Sequence, residues 1–159
     1  MSDKPEFVVV SFLESLQEGD RFPKQDWPLH VTIAPPFSLG NFSPELDQGL
    51  RNLSESQTSF AARVGSEALF GPKQDVPVNL ISSDSLTELH GRIVSELEQH
   101  HASFRNRNHV ETGYHPHVTH QQEGRLHEGQ EITLRTIELV ALTSPRDEEA
   151  REVIRSYHL

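Results

Sequence analysis

A chain of 159 residues is long enough to bury one hydrophobic core, and its 34% hydrophobic content gathers into periodic segments, so a single folded unit spanning residues 1–159 is expected. The absence of cysteine excludes disulfides, thiolate nucleophiles and thiolate metal sites. A formal net charge of -10, from 24 acidic against 14 basic side chains, opposes docking along a long phosphate backbone but leaves room for one phosphate in a locally positive pocket.

No stretch approaches membrane-spanning length, and Met1–Glu6 lacks a basic region followed by an apolar run. A cytoplasmic, monomeric protein with no membrane partner is therefore expected. Glu6 to Leu13 is rich in β-branched and aromatic residues and predicts a buried first strand. After a polar loop, Asp26-Trp27-Pro28 leads into a short strand, Leu29 to Ile33, which Pro35-Pro36 is expected to stop. Ser43 followed by Pro44 is an N-cap with proline at the first helical position, and Leu46, Leu50 and Leu53 share a face, predicting a helix from Pro44 to about Ser56.

Alternating Phe60, Ala62 and Val64 predict a strand over Thr58 to Ser66, and Val76 to Ile81 a second, with a turn at Gly71-Pro72. Ser85 and Glu88 form a capping-box pattern ahead of Leu86, Leu89, Ile93, Val94 and Leu97, a helix that ends near His100-His101. Beyond polar Ser103 to Asn108 come a strand over roughly His115 to Gln121, a long strand over Glu131 to Leu142, a turn at Ser144 to Asp147, and a returning strand from Ala150 to Leu159. This order, with several connections too short for a parallel crossover, predicts an α+β fold with antiparallel sheets.

The functional clue is a repeat: His30-Val31-Thr32 recurs as His117-Val118-Thr119. Two copies of that tripeptide arise by chance on the order of once in a thousand chains of this composition. In a strand, residues two apart share a face, so each copy presents an imidazole beside a hydroxyl while its valine points into the core. The duplication predicts two pseudo-symmetric lobes around a central cleft, helices outside, each lobe contributing one His and one Thr.

These residues resemble the two-histidine (2H) phosphoesterase superfamily, which includes the 2',5' RNA ligase and 2',3'-cyclic phosphodiesterase enzymes. That family carries two His-x-Thr-x motifs with a usually apolar fourth position, here His30-Val31-Thr32-Ile33 and His117-Val118-Thr119-His120, 87 residues apart. The Tyr114-x-Pro116 lead-in and the segment Ile137 to Ser144 are similar as well. Two features depart from the pattern: His120 stands at the fourth position, and the connection from Gln122 to Gln130 is short and polar.

The resemblance implies phosphodiester cleavage, which needs a base for the attacking oxygen and an acid for the leaving one. Histidine, with a reference pKa of about 6.5, can be either near neutrality. His30 and His117 are the candidate acid and base, and Thr32 and Thr119 the candidate donors to the phosphate oxygens. No metal or cofactor is required. The implied partner is a nucleotide or RNA terminus bearing a cyclic or 2',5' phosphodiester. His115 shares the face of His117 by period two and is a candidate substrate contact, while His120 falls on the opposite face. Tyr114, Phe37 and Trp27 flank the motifs and are candidates for stacking on a base, and Arg63, Lys73 and Arg125 for positive charge. Two alternatives remain open: a metal-dependent hydrolase using His115 and His117, and a non-catalytic nucleotide- or RNA-end-binding module.

Overall fold

The computed structural model describes residues 4–121 and 124–159. Its elements are β1 (Glu6–Phe12), β2 (Arg21–Pro23), β3 (His30–Ser38), α1 (Pro44–Glu55), β4 (Phe60–Phe70), β5 (Val76–Ser82), α2 (Asp84–Gln99), β6 (Ser103–Phe104), β7 (His117–Thr119), β8 (Glu131–Leu134), β9 (Thr136–Ala141) and β10 (Ala150–His158), with two short 3-10 turns between β6 and β7. The strands form one curled antiparallel sheet in the order β2-β10-β9-β1-β3-β7-β5-β4-β8, with β6 on β3. The sheets of the two lobes therefore join, and the seam between them is β3 against β7.

Helix α1 starts as the sequence predicts: the Ser43 hydroxyl accepts from the Leu46 N–H at 3.1 Å, with Pro44 behind it. Such a cap stabilises a helix by about 1 kcal/mol. The cap of α2 is Ser83, whose hydroxyl accepts from Leu86 N–H, and the Ser85-to-Glu88 pattern lies inside the helix. Asp84 in the first turn meets the positive helix end, so Ser83-Asp84 gives a complete start two residues earlier. Both helices bury their leucine stripes with Val31, Ile33 and Val118 in one core on one side of the sheet.

Strand β1 is buried on both faces. Phe7 and Val9 enter the helix-side core, and Val8, Val10 and Phe12 enter a smaller cluster with Phe22, Val140, Leu142 and Val153 on the helix-free side. Period two thus makes two cores from one strand.

Several strands differ from the sequence expectation: β4 runs past Ser66 to Phe70, and β2 and β6 lie in stretches expected to be polar loop. β3 does not stop at Pro35-Pro36 but runs on to Ser38. Phe7 pairs with Phe37 and Val9 with Ala34, so Val8 alone faces both prolines in a β-bulge, where a missing N–H breaks no ladder bond. The second motif strand is only His117–Thr119. The long strand from Glu131 is two: β8 pairs with β4 in one lobe, and after Arg135 β9 pairs with β1 and β10 in the other. Ile132 and Leu134 give way to Ile137 and Leu139 as inward residues, and that change of parity marks the crossing. Of the Gln122–Gln130 connection, Gln122 and Glu123 lie outside the described residues. Among those described, no helix is long and apolar enough to cross a membrane.

Candidate active site

His30 opens β3 and His117 opens β7. Val31 pairs with Val118 across the seam, and both are fully buried in the helix-side core. An antiparallel pair centred on these valines sets His30 abreast of Thr119 and Thr32 abreast of His117, all four on the opposite, helix-free face. The two histidines are diagonal neighbours, a relation that separates side-chain origins by about 7–8 Å. Each ring so placed has a threonine beside it on the neighbouring strand.

The imidazoles are held alike. His30 Nδ1 lies 2.8 Å from the Pro28 carbonyl and His117 Nδ1 2.7 Å from the His115 carbonyl, each two residues back. A carbonyl only accepts, so Nδ1 carries the hydrogen in both rings and Nε2 keeps the lone pair when the ring is neutral. Among the described residues neither Nε2 nor either threonine hydroxyl has a protein partner, which leaves four polar groups of one face available together.

Their electrostatics are unequal. Burial, aided by the neighbouring charges of His117 and Arg151, lowers the His30 pKa to about 4, against the Pro28 hydrogen bond that raises it. Burial also lowers that of His117, with the charges of His109 and His115 adding to the shift and the bond to His115 opposing it. Each ring has an aromatic companion. Trp27 is 4.5 Å from His30 between ring centres, and Phe70, at the end of β4, meets His117 edge-on at 4.7 Å.

The remaining candidates separate clearly. Phe37 is not available to a ligand: it is fully buried between Phe7 and Phe104. With Pro35-Pro36 as a stop it would be a flanking loop residue, whereas in the continued strand it is core. Tyr114 is stacked flat on His90 at 3.8 Å, and its hydroxyl donates to the Thr32 carbonyl at 2.7 Å, so it braces the first motif from the lead-in of the second. His90 completes that brace. Its Nδ1 donates to the Ile33 carbonyl at 2.6 Å, and its Nε2 accepts from the Glu111 N–H at 2.9 Å. His90 occupies the apolar stripe of α2 four residues after Leu86 and is 1% exposed, a position in the sequence that marks it as a buried polar group.

His115 is exposed, and its carbonyl rather than its ring is what is bonded to His117. His120 bonds Asn79 at 2.7 Å, and Asn79, fully buried, donates to the Gly65 carbonyl, so the polar fourth residue has a partner at the core edge. Arg125 is paired with Glu67. The cations near the motif are others: Lys24, Arg105 and Arg151 line a cavity of about 370 Å³ together with His30, Thr32 and Trp27. Among the described residues no three His, Asp or Glu side chains gather as metal ligands, and His117 spends its Nδ1 on a backbone carbonyl.

No curated protein sequence matches the chain. The fold is shared by solved structures of low identity: a phosphoesterase (16% identical, 99% of each chain covered, TM-score 0.59), TT0787 of Thermus thermophilus (15%, 97% of each, 0.57) and LigT of E. coli in complex with 3'-AMP (14%, 99% of each, 0.59). The family model of the 2'-5' RNA ligase superfamily matches residues 5–144. The chain therefore belongs to the 2'-5' RNA ligase superfamily, the one its paired His-Val-Thr motifs resemble.

Proposed function

We propose that the protein is a metal-independent phosphoesterase that cleaves 2',3'-cyclic phosphates, or related 2',5' phosphodiesters, of nucleotides or RNA ends by two-histidine acid-base catalysis. The observation that carries this reading is the convergence of two unused Nε2 atoms and two unused threonine hydroxyls on one face of the β3–β7 seam. The 3'-AMP bound in LigT supports it, being the kind of product that opening a 2',3'-cyclic phosphate leaves.

His30, whose pKa is lowered to about 4, is neutral across the physiological range and suits the base. His117, on the other strand of the seam, is then the acid, and its own pKa, lowered by burial and by the charges of His109 and His115, sets where that role is lost. In hydrolysis, His30 Nε2 takes a proton from water as its oxygen bonds to phosphorus. The bond from phosphorus to the leaving ribose oxygen breaks, and that oxygen receives a proton from His117 Nε2. Thr32 and Thr119 donate to the non-bridging oxygens, where charge builds up. In the reverse direction, in which the ribose hydroxyl attacks and water leaves, the roles exchange.

The test is the pH dependence of kcat/KM on a nucleoside 2',3'-cyclic phosphate. The base must be unprotonated, so activity rises through about pH 4 with His30. The acid must be protonated, so activity falls through the His117 pKa, which lies below 6.5. The expected profile is a bell with its optimum on the acid side of neutrality. An optimum above pH 7, or a profile with one limb only, contradicts the pairing.

A further inference from the structure

The cavity beside His30 holds more positive charge than one phosphodiester requires, in a chain whose net charge is -10. Three cations, Lys24, Arg105 and Arg151, line it against a single carboxylate, Glu6. Glu6 is spent: Arg105 grips both its oxygens, at 2.8 and 3.1 Å. Among the described residues neither Lys24 nor Arg151 has a carboxylate partner. Lys24 Nζ donates to the Thr143 hydroxyl at 3.0 Å. Arg151 lies 4.9 Å above the Trp27 ring, donates from Nη1 to the Leu142 carbonyl at 3.3 Å, and has a buried Nε with no partner.

A half-buried guanidinium without a counter-ion costs stability, and 24 acidic residues in the chain offered ample means to pair it. Its position offers it an anion instead. Arg151 projects from β10 on the helix-free side, where Phe22, its β2 partner, and Val153 also lie. Four strands of the sheet, β10-β9-β1-β3, carry it to the first motif. Burial and the charge of Arg105 make its charged form harder to hold, so a bound anion gains more there than at an open surface. The cavity takes in His30 and Thr32 but neither His117 nor Thr119, so it extends from the scissile position toward the first lobe.

We propose that this cavity is a second phosphate site: Lys24 and Arg151 bind a further phosphate of the substrate, and the preferred substrates are nucleotides or short oligonucleotides that carry one beside the bond to be cleaved. The proposal rests on the phosphoesterase reading and deepens it. The second phosphate has two sources, a terminal 5'-phosphate on the same nucleoside or the next phosphodiester of an RNA chain.

Binding separates these without relying on turnover. Three product-type ligands are titrated into the protein: a nucleoside 3'-monophosphate, its 3',5'-bisphosphate, and a dinucleotide bearing one internal phosphodiester and a 3'-phosphate. Relative to the monophosphate, the bisphosphate or the dinucleotide should bind about tenfold or more tightly, as a charge-assisted contact to a partly desolvated guanidinium implies. Gain with the bisphosphate identifies a terminal phosphate, and gain with the dinucleotide an internal one. The ratio should fall to about two or less in Arg151→Gln and drop in Lys24→Gln, which changes a side chain outside the core and keeps the test open if the first variant unfolds. Equal binding of all three ligands to the wild type, or a gain that survives both substitutions, overturns the site. A preserved ratio in a protein that turns over no cyclic phosphate supports the second site and refutes the catalytic reading instead. Failure to bind any of the three overturns both.

Discussion

Alanine in place of His30 or His117 should lower turnover of a nucleoside 2',3'-cyclic phosphate by about two to four powers of ten, the usual worth of a positioned acid or base. Each ring is fixed at Nδ1 by a carbonyl two residues back, so its Nε2 is already aimed and tautomerically correct before substrate arrives. Alanine removes that group but keeps the strand backbone and the Val31–Val118 pair of the seam, so the fold should persist, which a thermal melt checks. His115→Ala serves as the contrast. It deletes an exposed ring but keeps the backbone carbonyl that holds His117, so it should change turnover by less than about threefold. Comparable loss from His115→Ala with none from His30→Ala would refute the assignment.

The threonines give the second large effect. Thr32→Val and Thr119→Val keep the shape and strand preference of the side chain and delete one hydroxyl. A donor aimed at developing oxyanion charge is worth about two to three powers of ten in kcat. Each single substitution should approach the lower figure, since two donors share the charge. The loss should appear in kcat more than in KM, because the charge they meet grows on the way to the transition state. Unchanged kcat in both variants would reduce Thr32 and Thr119 to strand residues.

How much of this is visible in the sequence depends on distance along the chain. The His-Val-Thr pair is local, and period two alone puts His and Thr on one face and Val in the core, as the fully buried Val31 and Val118 bear out. The α1 cap and the returning strand β10 are local too, and both follow the sequence. Phe37 fails because a pair of prolines reads locally as a strand stop, while the bulge opposite Val8 absorbs both. Glu131 to Leu142 fails because strand propensity is continuous through Arg135, and only inward parity reveals two partners. Arg151 is out of reach for another reason. On its own strand it alternates with Val153 and Arg155 like any surface arginine, and only the sheet order brings it beside His30.

Tyr114 shows how far positioning extends. Its place beside the second motif suggests contact with substrate, and instead its hydroxyl is tied to Thr32 and its ring to His90. The bond joins the two motif segments across 82 residues of sequence, so the Thr32 backbone is supported from the opposite lobe. A site whose second strand is only three residues long needs such support, because a displacement of about 1 Å is enough to cost a large factor in rate.

The central claim is that two histidines and two threonines suffice for the chemistry. The direct measurement is turnover of a nucleoside 2',3'-cyclic phosphate by the purified protein after exhaustive chelation, beside the His117→Ala protein treated identically. Two-histidine catalysis predicts undiminished hydrolysis to a nucleoside monophosphate in the first and about a hundredfold or greater loss in the second. Activity that disappears with chelator and returns with a divalent metal would contradict it.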